Sequence, residues 1–338
     1  MVEAAIPAPQ HARPPPRPAF AALDLGTNNC RLLVGTPAGE GFRVIDSFSR
    51  IVRLGEGLHH TGCLGEAAME RTMAALHACA ARLDRRPVRA LRAIATEACR
   101  RATNGSAFLA RVRAETGLSI DVISTREEVE LALESCAPLL GGEGRRALLF
   151  DIGGGSTELA WIRLSPGEPP SLIGYASLPV GVVTLWEEFG PACFEPDGFD
   201  AMTDAVLARL AAFEAVHCIG QEISQGGVRL LGTSGTVTTL AGIMLNLDRY
   251  NRSLIDGTVL TRADAEQSLL ELQSMGREGL LRHPCVGPER VDFVLPGCAI
   301  YAAIHRLWPA PHVVVADRGL REGILLRMIR ADRARAPR

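Results

Sequence analysis

A chain of 338 residues with 47% hydrophobic and 22% charged side chains is long enough for two domains, each with its own core. A formal net charge of −2 excludes bulk electrostatic attraction to nucleic acid or an anionic membrane, so an anionic substrate needs a local positive site. All 36 Lys-plus-Arg positions are arginine, which excludes a Walker A loop, a Schiff-base enzyme and a protein kinase, and leaves Arg or a metal ion to meet phosphate. Nine cysteines (30, 63, 79, 99, 136, 193, 218, 285 and 298) include no C-x-x-C pair. The odd, scattered set is expected to be reduced thiols of a cytoplasmic protein, not a disulfide framework or a zinc site. No apolar run follows the initial Met and no window reaches ~18 uninterrupted apolar residues, so neither export nor membrane spanning is expected.

Residues 1–18 contain six prolines and are expected to form a disordered tail. Residues 20–25 read as a buried strand, 26–29 as a turn and 30–35 as a returning strand. An amphipathic helix is predicted over 66–84, where Ala67, Met73, Leu76, Ala80 and Leu83 fall near helical spacing. A strand over 88–95, a helix over 106–115 and a short strand over 120–123 follow. Residues 131–140 read as a helix ending at Gly141-Gly142. The opening device then recurs as a strand over 147–152, a turn over 153–157 and a strand over 158–162. Asp24 and Asp151 lie 127 residues apart, each ending an apolar strand before a Gly-containing turn, which predicts two related halves facing one another. The second half continues with a helix near 200–216, a strand over 228–232, a loop over 233–236 and a helix over 237–245. Helices near 263–274 and 296–307, a strand over 312–317 and a helix over 320–329 complete it. This alternation predicts an α/β fold with mixed sheets.

Asp151-Ile-Gly-Gly-Gly-Ser-Thr-Glu158 carries the sharpest chemical signal. Gly153, Gly154 and Gly155 permit close backbone approach to an anion, and with Ser156 and Thr157 their N–H groups can form an anion-binding nest. Asp151 and Glu158 bracket that loop with oxygen ligands suited to magnesium. A plain Gly-rich hairpin is the bland alternative, whereas a dinucleotide fingerprint fails because a strand follows the loop. Asp24, Gly26, Thr27 and Asn28 form the corresponding first loop, whose value lies in pairing with the second. Ser234 and Gly235 stand at a predicted helix N-terminus, either as anion contacts or as an ordinary cap. Arg100 follows a strand and reads as a phosphate contact or a solvated arginine. Ser124 and Thr125 each stand three residues before a glutamate, so two capping boxes compete. If Ser124 caps, Glu127 closes the box and Glu128 is free to face a cleft.

Together these segments resemble the exopolyphosphatase/guanosine pentaphosphatase (Ppx/GppA) family, a branch of the actin-like, sugar-kinase-like fold. The matching pieces include Ala22-Leu-Asp-Leu-Gly-Thr-Asn28, Ala95-Thr-Glu-Ala-Cys-Arg100, Ile123-Ser-Thr-Arg-Glu-Glu128, Asp151 to Glu158, Gly232-Thr-Ser-Gly-Thr236, Glu289-Arg-Val-Asp292 and Gly319-Leu-Arg-Glu-Gly323. The resemblance implies an actin-like (ribonuclease H-like) bilobed fold of two related mixed-sheet domains over 19–130 and 131–319. The helix over 320–338 would return to the first domain. It implies a cleft active site with Glu128 as general base and magnesium, or manganese, at Asp151, Glu158 and Asp24. Phosphate contacts would come from both Gly loops and Arg100, with Arg31 and Arg290 in the outer cleft. Inorganic polyphosphate or guanosine pentaphosphate is the implied substrate and a homodimer the implied assembly, with no nucleic-acid or membrane partner. Thr125-Arg126 departs from the Gly-Asn or Gly-Glu common before the glutamate pair. Nothing resembles the C-terminal helical module of long members, so a short two-domain member is expected. An ATPase or sugar kinase of the same fold, and a non-catalytic guanosine-polyphosphate sensor, are the competing readings.

Overall fold

Two apolar segments, Phe20–Leu25 and Arg146–Ile152, form the central strands of two separate sheets. Near-continuous apolar runs suit strands covered on both faces. The computed structural model describes residues 18–141 and 144–335. The Pro-rich tail, apart from Pro18, lies outside the described residues, as do Gly142 and 336–338.

The first sheet contains β1 (Phe20–Leu25), β2 (Asn29–Ala38), β3 (Gly41–Ile51), β4 (Ala90–Ala95) and β5 (Ile120–Val122) in the order β3-β2-β1-β4-β5. β1, β2 and β3 are antiparallel neighbours, while β4 and β5 continue the sheet in parallel. The second sheet contains β6 (Arg146–Ile152), β7 (Thr157–Arg163), β8 (Ser171–Leu178), β9 (Val228–Thr233), β10 (Val259–Thr261) and β11 (His312–Ala316). Read from its β8 edge, its order is β8-β7-β6-β9-β11-β10. The first five strands repeat the pattern of the first sheet, and β10 adds an antiparallel edge. The predicted duplication is therefore a duplication of topology, and the arrangement is the α/β, actin-like one.

Helix Glu66–Arg85 covers the first sheet with Met73, Leu76 and Cys79 buried. Helices Pro196–His217 and Val291–Leu307 enclose the largest core against one face of the second sheet. The latter begins before the predicted 296: Pro296 lies buried inside the helix, whereas proline usually marks a first turn.

Helix Thr125–Cys136 starts earlier than the predicted 131, and the boundary drawn at residue 130 falls within it. Its Val129, Ala132 and Leu133 pack toward the second sheet. Leu131 instead joins Phe20, Leu33, Ile324, Leu325 and Ile329 over the first sheet. Those last three residues belong to helix Leu320–Arg335, which runs back across β1. Only glycine fits where the two helices cross, since a Cβ on Gly323 would lie 2.1 Å from the Leu131 carbonyl oxygen.

Candidate active site

The turn after β1 closes through Gly26 N–H donating to the Asn29 carbonyl at 2.9 Å. Its carbonyls face away from the second sheet's loop: Asn28 O accepts from Val52 (2.8 Å) and Arg53 (3.1 Å), and Thr27 O accepts from Gly55 (2.9 Å). The turn after β6 is built alike. Gly153 N–H donates to Ser156 O at 2.9 Å, while Gly153 O and Gly154 O accept from Val182 (3.0 Å) and Val183 (2.8 Å). Those donors are first-turn amides of helix Val182–Phe189, which have no intrahelical partner. Among the described residues, the N–H groups of Thr27, Asn28, Gly154, Gly155 and Ser156 have no acceptor.

The two turns touch. A Cβ on Gly154 would lie 3.0 Å from Asn28 Cβ, and one on Gly155 would lie 2.8 Å from Thr27 Oγ1. Glycine is required there by close approach of the opposing loop. A third element arrives with Ser234, a non-glycine residue at φ 133° that follows β9 and caps helix Gly235–Met244. Its Oγ accepts from Thr236 N (3.2 Å) and Val237 N (3.4 Å). Backbone held in this region by a non-glycine residue is strained, and such strain concentrates at functional sites.

These elements enclose a cavity of about 280 Å³. Asp24, Gly26, Thr27, Asn28 and Arg31 form its first wall, and Asp151, Gly153, Gly154, Ser156 and Glu158 the second. Glu128, Ser234, Gly235 and Arg290 complete it. Of the other predicted residues, Gly155 stands behind the wall against Thr27, and Thr157 donates through Oγ1 to Val180 O at 2.7 Å. Arg100 is also absent from the lining. Its guanidinium donates to Glu128 (3.0 Å), Glu97 (2.9 Å) and Ile123 O (3.0 Å), so it holds carboxylates where a free phosphate contact was expected. Arg31 and Arg290 make no side-chain hydrogen bond or ion pair among the described residues, which leaves them as the cations facing the cavity. Ser49 and Ile51 of β3, together with Thr96, Thr236 and Phe293, also line it and were not singled out from sequence. Thr96 and Thr236 stand inside quoted motifs; β3 had no sequence signal strong enough to place its two.

The glutamate pair separates as the Ser124 register requires. Ser124 Oγ accepts from Glu127 N–H at 3.2 Å. Glu127 does not close the box, because its carboxylate instead pairs with Arg92 at 2.6 Å and Arg327 at 3.6 Å. Glu128, 7% exposed, turns to the cavity. Burial, then the charge of Glu158, pushes its carboxyl well above the usual range, and Arg100 opposes the shift. Burial raises Asp151 to about 6; Arg31 pulls it down and Asp24 pushes it up. Glu158 is raised to about 7 by burial and by Asp151, although Ser156 (2.6 Å) and Ser177 (2.8 Å) donate to it. Asp24 is raised by burial, with Arg31 and Arg321 opposing.

Four carboxylates that resist ionisation call for a cation. Asp24 Oδ1 and Asn28 Oδ1 are moreover buried without a donor. Among the described residues no three His, Cys, Asp or Glu side chains converge into a self-sufficient metal site. Magnesium needs only one or two protein carboxylates, its shell being completed by water and substrate oxygens. Asp24, Asp151 and Glu158 are the residues able to hold it.

A family model described as the Ppx/GppA phosphatase family matches residues 34–332. The chain belongs to that family. Among its Ppx/GppA relatives, a protein from Photobacterium profundum named guanosine-5'-triphosphate,3'-diphosphate pyrophosphatase is 31% identical over 322 residues. That alignment covers 94% of this chain, which spans 60% of the relative's length. The solved Aquifex aeolicus PPX-GPPA enzyme superposes with a TM-score of 0.73 at 29% identity, covering 92% of this chain and 100% of that one. An exopolyphosphatase from Cytophaga hutchinsonii shares the fold at a TM-score of 0.80 and 24% identity, covering 93% and 98% of the two chains.

Proposed function

We propose that this Ppx/GppA phosphatase hydrolyses the terminal phosphoanhydride of inorganic polyphosphate or guanosine pentaphosphate. One observation carries the reading: the two Gly-containing turns meet with five acceptor-free N–H groups between them, and the buried Glu128 carboxylate stands on the same cavity wall. A terminal phosphoryl group seated there receives N–H donors from both halves, as preorganised charge stabilisation requires. Arg31 and Arg290 offset the charge of phosphates further along the substrate.

Glu128 orients the attacking water and takes its proton as the new oxygen–phosphorus bond forms and the bridging phosphoanhydride P–O bond breaks, the shortened substrate leaving as its terminal phosphate anion. Desolvation and Glu158 raise the basicity of that carboxylate, while Arg100 keeps it aimed and opposes the shift. Magnesium, or manganese, on Asp151 and Asp24 with Glu158 behind would neutralise phosphoryl oxygens and act as Lewis acid. Release of phosphate from polyphosphate, guanosine pentaphosphate and ATP, with and without magnesium, tests the proposal. Hydrolysis of ATP far outpacing the other two would point instead to an ATPase or kinase. Tight guanosine-pentaphosphate binding without turnover would identify a sensor.

A further inference from the structure

We infer that Glu187 is an interlobe latch, a positioning residue that holds the two phosphate-binding turns in register. The inference rests on the phosphohydrolase reading. Glu187 lies in helix Val182–Phe189, whose first-turn amides already fasten Gly153 and Gly154. From there its Oε1 reaches across the cleft and accepts from Gly57 N–H at 2.7 Å. Gly57 ends the segment 52–57, whose amides at Val52, Arg53 and Gly55 fasten the carbonyls of Asn28 and Thr27. The Glu187–Gly57 bond thus joins the support of one turn to the support of the other. A closed ring results: turn, helix, carboxylate, segment, opposing turn.

Two features mark the segment as more than a surface loop. Gly57 has φ 72° and Arg53 has φ 50°, both in the left-handed region, so its path is set by what it contacts. The Arg53 guanidinium also lies over the Phe293 ring, 5.2 Å from its centroid, which adds a second bridge to the other half. The second carboxylate oxygen of Glu187 is buried without a partner, so one amide hydrogen bond is what repays the burial of that group.

A latch acts on the fraction of molecules that are closed before substrate arrives. The apparent affinity of a site scales with that fraction, whereas saturating substrate restores closure through its own contacts. Glu187→Ala is therefore expected to raise KM about ten- to hundred-fold, the range for losing a hydrogen bond to a charged acceptor, while kcat stays within about twofold. Glu187→Gln keeps an oxygen for Gly57 N–H and is expected to restore KM to near the wild-type value.

Geometry can be read without turnover. Cys63 and Cys218 are exposed, one in each half, and the other seven cysteines are buried. Nitroxides on these two thiols report the interlobe distance by double electron–electron resonance. The wild type and Glu187→Gln are expected to show one narrow distribution, and Glu187→Ala a broader one extending to longer distances. If Glu187→Ala does not fold, Arg53→Gln, which removes the Phe293 bridge, is expected to broaden the distribution in the same direction. An unchanged distribution with unchanged KM in the folded variants, or a Gln variant as impaired as Ala, overturns the latch. Failure of the wild type to release phosphate from any substrate strikes the proposed reaction and leaves the distance test standing.

Discussion

Replacing Asp151 by asparagine removes a charge that the folded protein holds at a cost. Burial lifts this carboxyl from 3.8 to about 6. A shift of about two units corresponds to about 3 kcal/mol between the two protonation states. The sign follows from proton uptake. Between pH 4 and 6 the folded state retains a proton that the unfolded state has released, so stability falls as pH rises through this window and the full penalty stands above it. Asp151 makes no side-chain hydrogen bond among the described residues, so asparagine abandons no donor. Urea unfolding with a chelator present should show Asp151→Asn more stable than wild type by about 2–3 kcal/mol at pH 8. That gap should shrink below about 1 kcal/mol at pH 4. Added magnesium should narrow the gap at pH 8, because an ion that binds only the native wild type stabilises only the wild type. The same variant should release no phosphate. A variant no more stable than wild type at pH 8, or a gap independent of pH, refutes the account of a strained carboxylate kept for cation binding.

Glu128→Gln should lower kcat by roughly 10²–10⁴, the usual contribution of a general base, with substrate binding retained in equilibrium dialysis; near-normal turnover removes Glu128 from that role. Phosphate release should rise with pH as Glu128, Asp151 (about 6) and Glu158 (about 7) ionise, and a flat profile from pH 5.5 to 8.5 contradicts a need for their charged forms. Arg100→Gln should carry the acid limb of that profile to higher pH, since Arg100 is the group holding Glu128 down; loss of rate without a moved limb would make Arg100 a direct substrate contact. Gly154→Ala places a methyl group 3.0 Å from Asn28 Cβ and should raise KM by separating the turns, with little change in melting temperature. An unaltered KM would show that the turns need not touch.

The strands that sequence places best are β1, β6, β9 and β11, where apolar side chains run together, with Asp at or just past the end of β1, β6 and β11. Edge strands β3 and β8 escape because much of each faces solvent and their apolar residues are interrupted, by charge in Gly41–Ile51 and by Ser, Gly and Tyr in Ser171–Leu178. That omission hid Ser49 and Ile51 from the cavity wall. Glu128 was legible as soon as Ser124 was taken as the cap, since one register turns Glu127 outward. Arg100 was not legible in the same way. Its motif places it near the cleft and puts Glu97 three residues before it on the same helix, but Glu128 comes from another helix, and pairing between elements leaves no trace in local spacing.

The two hairpins show why a duplicated frame makes an asymmetric site. Asp24 faces Arg31 across the first ladder, and Asp151 faces Glu158 across the second, at corresponding positions. Matching backbone thus presents a cation from one half and an additional carboxylate from the other. Arg31 lowers the pKa of both aspartates, whereas Asp151 raises the cost of ionising Glu158. A substrate rich in phosphate needs both kinds of wall. One side must supply fixed positive charge, and in a chain without lysine that charge is arginine; the other must gather negative charge enough to hold a metal ion and a proton acceptor. Two halves that had stayed identical would offer two cations or two carboxylate pairs, and neither could bind the phosphoryl group and activate water against it.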